Sequence, residues 1–166
     1  MTAPALDHIA LTVPDLNEQV ERMAARYPAI KVDVADTGGL DALADAALAR
    51  LGDGAVLVYS TAPPDEVAHV QELVGPEEAS SRVESLLGEL ACLLVAGGAR
   101  RLVLAGGETS AAVLQRLGVR ALAVGDEIAP GVPWMTSLGE PRLAVALKSG
   151  NFGGPDFFLE ALGGEG

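Results

Sequence analysis

A chain of 166 residues has the length of one ordinary domain and can bury a substantial core. Hydrophobic residues at 49% against 20% charged exclude a disordered chain, and a net charge of −12 argues against duplex nucleic acid as a partner, because an acidic surface gains nothing from counterion release. The single cysteine, Cys92, excludes an internal disulfide and reads as a small core residue within LLGELACLLVAGG. Met1–Leu6 lacks the basic start and apolar stretch of a signal peptide. No apolar run reaches the ~18 residues of a membrane span, so no membrane partner is expected and the cytoplasm is the default location.

Short β-type runs alternate with helical stretches along the chain, the pattern of a mostly parallel sheet with helices on its faces. HIALTV (8–13) reads as a strand and NEQVERMAARY (17–27) as an amphipathic helix. AIKVDV (29–34) is strand-like, and the alanine-rich LDALADAALARLG (40–52) is helical. AVLVYST (55–61) is the clearest buried strand, β-branched and uninterrupted. PDEVAHVQELV (64–74) and PEEASSRVESLLGELACLLVAGG (76–98) follow as helices, the second opening at Pro76 and closing at Gly97-Gly98. RLVLAG (101–106) is a strand, GETSAAVLQRLG (107–118) a helix and VRALAVG (119–125) a strand. DEIAPGVPWMTSLGEP (126–141) reads as an irregular, proline-stiffened loop. RLAVALKSG (142–150) is the last strand and PDFFLEALG (155–163) a terminal helix. The expected fold class is α/β: a three-layer αβα sandwich, Rossmann-like, forming a single domain over residues 1–166.

Two glycine-rich turns carry the chemistry. In AGGETS (105–110), Gly106 and Gly107 let a ligand approach the backbone without a Cβ in the way. Thr109 and Ser110 lie at the helix start, where unpaired N–H groups and the dipole favour an anion. Glu108 adds negative charge there, and it serves either as a helix cap or as a ligand to a metal ion accompanying a nucleotide. An ordinary strand-to-helix turn with a hydroxyl cap has the same composition, and the motif lacks the ending of a P-loop. KSGNFGG (148–154) repeats the logic: Lys148 closes a strand and brings a point charge to a turn made by Ser149, Gly150 and Asn151. Both turns follow strands, and in open α/β sheets ligands bind at the carboxyl ends of strands. Trp134 either covers an adenine ring or plugs the edge of the core. Asp126 and Glu127 read as a solvated turn rather than a catalytic pair.

LVLAGGETSAAVLQRLGVRALAVGDEIAPGVPW followed by ALKSGNFGGPDFFLEAL resembles the C-terminal nucleotide-binding domain of the four-carbon acid sugar kinases, over about residues 17–163. That resemblance implies ATP as the nucleotide, Mg²⁺ bridging its phosphates, and phosphorylation of acids such as 3-oxo-tetronate, threonate or erythronate. It implies that Gly106, Gly107, Glu108 and Thr109 contact nucleotide and that Gly150 closes over it, with Ser149 and Asn151 as secondary contacts. Ser110 and Lys148 join them on physical grounds. No catalytic residue is assigned, because the sequence has no counterpart of the family's sugar-acid domain, from which the catalytic base is expected. A separate sugar-acid-binding domain or a homo-oligomer is therefore the expected partner. The alternative is a degenerate module kept for fold or oligomerisation.

One stretch departs from the family. The place of its serine-rich nucleotide turn is taken by LTVPDL (11–16), and MTAPALDHIALTVPDL is similar to the opening strand of glyoxalase-type metalloproteins, in which a histidine placed like His8 binds metal. His69 is the only other histidine, and a lone His at a strand edge is usually structural, so no metal site is assigned.

Overall fold

The computed structural model describes residues 8–12, 17–32, 39–51, 54–60, 71–72, 74–149 and 152–163. Seven strands form one sheet: β1 (His8–Thr12), β2 (Ala29–Lys31), β3 (Val56–Tyr59), β4 (Arg101–Ala105), β5 (Leu122–Ala129), β6 (Val132–Ser137) and β7 (Ala144–Lys148). Their order across the sheet is β2-β3-β1-β4-β7-β6-β5. The first five in that order run parallel, while β6 pairs antiparallel with both β7 and β5. The helices are α1 (Asn17–Ala24), α2 (Leu40–Leu51), α3 (Pro76–Ala96), α4 (Gly107–Arg116) and α5 (Phe157–Ala161).

Strand alternation sorts the core into two layers. Val56, Val58, Leu102, Leu104 and Val145 face one side and pack with Ala44 and Ala47 of α2, Leu87, Leu90 and Leu94 of α3, and Val113 of α4. Leu57, Val103, Ala105 and Ala146 face the other and pack with Val20 and Met23 of α1 and with Phe157, Phe158 and Ala161 of α5. The three-layer α/β expectation therefore holds. α3 is held by a buried stripe, Leu86, Leu87, Leu90, Ala91, Leu94 and Val95, at the three-and-four spacing of a helix that lays one face on a core. Cys92 lies where α3 meets α4, its Sγ 3.7 Å from the Arg116 carbonyl, in keeping with a packing role.

The connections reverse direction at the centre of the sheet. After β1 the chain moves outward to β2 and returns through β3; from β3 it crosses past β1 to β4 and continues to the far side. The carboxyl ends of β1 and β4 are thus a topological switch point, where α/β sheets open a crevice. α1 leaves on one face and α4 on the other.

Three expectations need correction. Residues 126–141 are not an irregular loop: β5 and β6 form a hairpin across them, and the strand expected at 119–125 begins at Leu122 and continues to Ala129. Pro130-Gly131 is the turn itself, with Gly131 at φ +79°, the value required at the third position of a type II turn. Pro133 sits opposite Glu127 at a shift in register, where a missing N–H is tolerated. Second, the terminal helix is only five residues long, Phe157–Ala161. Third, β1 is an interior strand of an open sheet, flanked by parallel neighbours on both sides, an architecture unlike the paired modules of a glyoxalase-type metal barrel. Most of PDEVAHVQELV, including His69, lies outside the described residues. Other element ends agree to within a few residues.

Candidate functional site

The strands that lead into the two glycine-rich segments, β4 and β7, end side by side at the carboxyl edge of the sheet. Parallel pairing sets Ala105 of β4 beside Lys148 of β7, and one step further the Gly106 N–H donates to the Lys148 carbonyl at 2.9 Å. Gly106 has φ +104° and ψ +124°, a conformation open to glycine and strained for any L side chain. It turns the chain abruptly from strand to helix, so that α4 begins at once with Gly107. The Ser110 N–H bonds the Gly106 carbonyl at 2.9 Å, which leaves the N–H groups of the three residues before it without helical acceptors.

No side chain caps this helix start, so the capping role considered for Glu108 is not realised, and its carboxylate stands in solvent. Among the described residues, a Cβ built on Gly107 would meet nothing within 4 Å. Thr109 and Ser110 are buried, and the Ser110 hydroxyl oxygen has no hydrogen-bond partner among the described residues. A buried orphan hydroxyl costs about 1–3 kcal/mol.

Lys148 is placed differently from expectation. It alternates with Ala146 and so belongs to the layer of α1 and α5, and it is only 1% exposed. Burial holds its pKa below the ordinary 10.5. Its carbonyl, rather than its ammonium, is what joins the two turns. Ser149 is exposed at the strand end and its carbonyl accepts from the Phe152 N–H at 3.3 Å. Gly150 and Asn151 lie outside the described residues.

Neighbouring segments fix the second turn. The Gln19 side-chain amide on α1 donates to the Gly154 carbonyl at 3.1 Å, and Arg22 pairs with Asp156 at 2.9 Å. Because β6 runs antiparallel to β7, the Pro130-Gly131 hairpin tip is brought to the same edge. Glu127 closes that tip by accepting the Gly131 N–H at 3.1 Å, while Asp126 remains exposed. Trp134 lies on β6 and not on a loop, half-buried against the core with the Arg101 guanidinium 4.9 Å from its ring centroid. It belongs to the edge of the core, the second of the two roles open to it. The role of the hairpin tip as a third wall of this edge was not visible in the sequence, where its two prolines masked the strands. Among the described residues no three His, Cys, Asp or Glu gather to hold a metal ion. A surface cavity lined by Arg120, Ala121, Ser137, Leu138 and Glu140 lies at the opposite edge of the sheet.

Known proteins share both the sequence and the fold of this chain. A family model described as a nucleotide-binding C-terminal domain matches residues 12–158. A 3-oxo-tetronate kinase of Cupriavidus necator is 54% identical over 149 residues, covering 88% of this chain and 34% of that protein. The enzyme of the same name from Pseudomonas fluorescens is 49% identical over 150 residues, 89% of this chain and 35% of its own. Among solved structures, a Haemophilus influenzae protein superposes with a TM-score of 0.85 at 36% identity, covering 94% of this chain and 40% of that one. A Bordetella bronchiseptica domain of unknown function, a domain-swapped dimer with bound citrate, superposes at 0.72 with 25% identity, covering 93% and 40%. The chain spans about a third of the length of the curated relatives it matches. No described helix is long and apolar enough to cross a membrane. By its fold, its paired glycine turns and a match running through almost all of the described sheet, the chain belongs to the family of nucleotide-binding C-terminal domains.

Proposed function

We propose that this chain is the ATP-binding part of a kinase for four-carbon sugar acids, forming one domain that depends on a separate sugar-acid-binding part for the acceptor. The phosphates of ATP lie over the first turn of α4, contacted by the backbone of Gly106, Gly107, Glu108 and Thr109, with the Ser110 hydroxyl nearby. Ser149, Gly150 and Asn151 close the other side. Lys148 supplies positive potential from beneath the strand ends. When bound, Mg²⁺ neutralises the phosphate charge that develops during transfer. The chain's own contribution is to hold the phosphates in line on fixed N–H dipoles, which need no reorganisation at the moment of reaction.

One observation carries the reading: the Gly106 N–H to Lys148 carbonyl bond joins the ends of the two strands that lead into the glycine-rich segments, and a Cβ on Gly107 would meet no described atom within 4 Å. The names of the relatives support kinase chemistry on a sugar acid, and the acceptor site belongs to the two thirds of those proteins that this chain does not match. Calorimetry with ATP and ADP, with and without Mg²⁺, tests the proposal. Saturable binding that strengthens with Mg²⁺ is expected, and no detectable binding at millimolar nucleotide refutes it.

A further inference from the structure

The described residues leave three large apolar side chains in solvent, Val124, Leu138 and Phe152, and only Phe152 is aromatic. It is 57% exposed although its chain neighbours Phe157 and Phe158 are fully buried, packed edge to face at 5.8 Å between ring centres. The segment is built to produce that difference. Gly153, at φ +79°, has no Cβ, and one placed there would lie 2.7 Å from the Phe157 ring. The chain can therefore press Phe157 into the core while Phe152 stays outside.

Phe152 is held rather than loose. Its N–H bonds the Ser149 carbonyl at 3.3 Å, and its ring rests against the bare Cα of Gly131 at the hairpin tip, where a Cβ would come within 3.3 Å of Cδ1 and 3.4 Å of Cε1. The ring is thus braced on one side by the turn of β5–β6 and open on the rest. It is four residues beyond Lys148, whose carbonyl holds Gly106, so it lies within a chain reach of at most about 14 Å of the junction of the two glycine turns.

We infer that the Phe152 ring is the platform on which the purine of the bound nucleotide stacks. The inference rests on the nucleotide reading above and adds the part of the ligand that reading leaves unplaced. A neutral aromatic face brings no charge or hydrogen-bond donor to phosphate or carboxylate oxygens, whereas the flat π-face of a purine stacks on it. Trp134, the other aromatic near this end of the chain, is occupied by Arg101 and half-buried. Phe152 is the exposed aromatic beside the phosphate turn.

The test compares ATP with inorganic tripolyphosphate, both with Mg²⁺, by calorimetry on wild type, Phe152→Ala, Phe152→Leu and Phe152→Trp. Base stacking on one aromatic ring corresponds to a loss of about 5- to 150-fold in affinity when the ring is removed. That loss is expected for ATP in the Ala and Leu variants. Tripolyphosphate, which has no base, should bind all four within about twofold, since the contact that is lost is one it never makes. The Trp variant should retain ATP affinity, with indole fluorescence quenched by ATP and not by tripolyphosphate. Unchanged ATP affinity in Phe152→Ala overturns the inference and leaves the ring to protein contact. Equal weakening of both ligands also overturns it, showing that the ring only braces the turn. Failure of the wild type to bind either ligand is a different result, because it removes the nucleotide reading itself and this inference with it.

Discussion

Replacing Gly107 by valine separates the fold of the β4–α4 turn from its ligand. Gly107 is the first residue of α4, and a Cβ there meets no atom of the described residues within 4 Å. Helix propensity differs between Gly and Val by a few tenths of a kcal/mol, so unfolding free energy should stay within about 1 kcal/mol of wild type. The added branches occupy the place assigned to the phosphates. Loss of even one charge-assisted N–H contact, about 1.5–3 kcal/mol, means at least a tenfold weaker ATP affinity. Gly106→Val makes the contrast: at φ +104° it adds backbone strain of about 1–3 kcal/mol on top of any effect on binding. Urea unfolding followed by calorimetry with ATP and Mg²⁺ measures both quantities on one preparation. A Gly107→Val protein that is equally stable and binds ATP with unchanged affinity would refute the placement of phosphate over this helix start, whatever family the chain belongs to.

Three further outcomes follow from the same edge of the sheet. Gly153→Ala should destabilise by about 2–4 kcal/mol, because the new Cβ meets Phe157 at 2.7 Å and φ is +79°; Gly154→Ala, with nothing within 4 Å, should stay within about 1 kcal/mol of wild type by denaturant titration. Disrupting Arg22–Asp156 by Asp156→Ala should cost under about 1 kcal/mol, as both side chains are nearly half exposed, at 45% and 48%. Lys148 predicts a pH dependence. Its folded pKa lies below 10.5, so the unfolded chain binds more protons in the window from that lowered value up to 10.5, and stability must rise with pH across it. The difference in unfolding free energy between wild type and Lys148→Met, followed from pH 7 to 10.5, should therefore drift in favour of wild type; a flat difference would show that burial does not shift this lysine.

Much of the architecture was legible because it rests on local signals. Uninterrupted β-branched runs such as AVLVY, alanine-rich or capped helices, and glycine at their ends each have one physical reading, and all became elements at the expected places. The β5–β6 hairpin failed for an equally physical reason. Pro130 and Pro133 are strand breakers only where an N–H is needed for the ladder, and here one makes the turn while the other sits at a register shift. Whether a proline needs its missing donor is decided by the neighbouring strand, which single-chain periodicity does not contain. Trp134 was open between two roles for the same reason, since only the pairing of β6 with β7 shows that it lies over the core beside Arg101.

The candidate site divides along the same line. Gly106 and Gly107 mark a tight strand-to-helix turn in the sequence, although an ordinary capped turn has the same composition. That the strands leading into the two glycine-rich segments end side by side required the β4–β7 pairing, a contact between segments some forty residues apart. Lys148 shows what register adds to residue type. Its place closing a strand is legible in the sequence, and alternation sets its side chain with Ala146 on the face of the α1 layer, while AGGETS leads to α4 on the other face. The same alternation makes its backbone indispensable, since a residue paired with Ala105 must present its carbonyl to Gly106. Any residue at position 148 supplies that carbonyl, whereas only a cation supplies potential from below. The two contributions are therefore separable: Lys148→Met should keep the geometry of the turns and lose whatever share of nucleotide affinity comes from this cation, which calorimetry with ATP and Mg²⁺ measures.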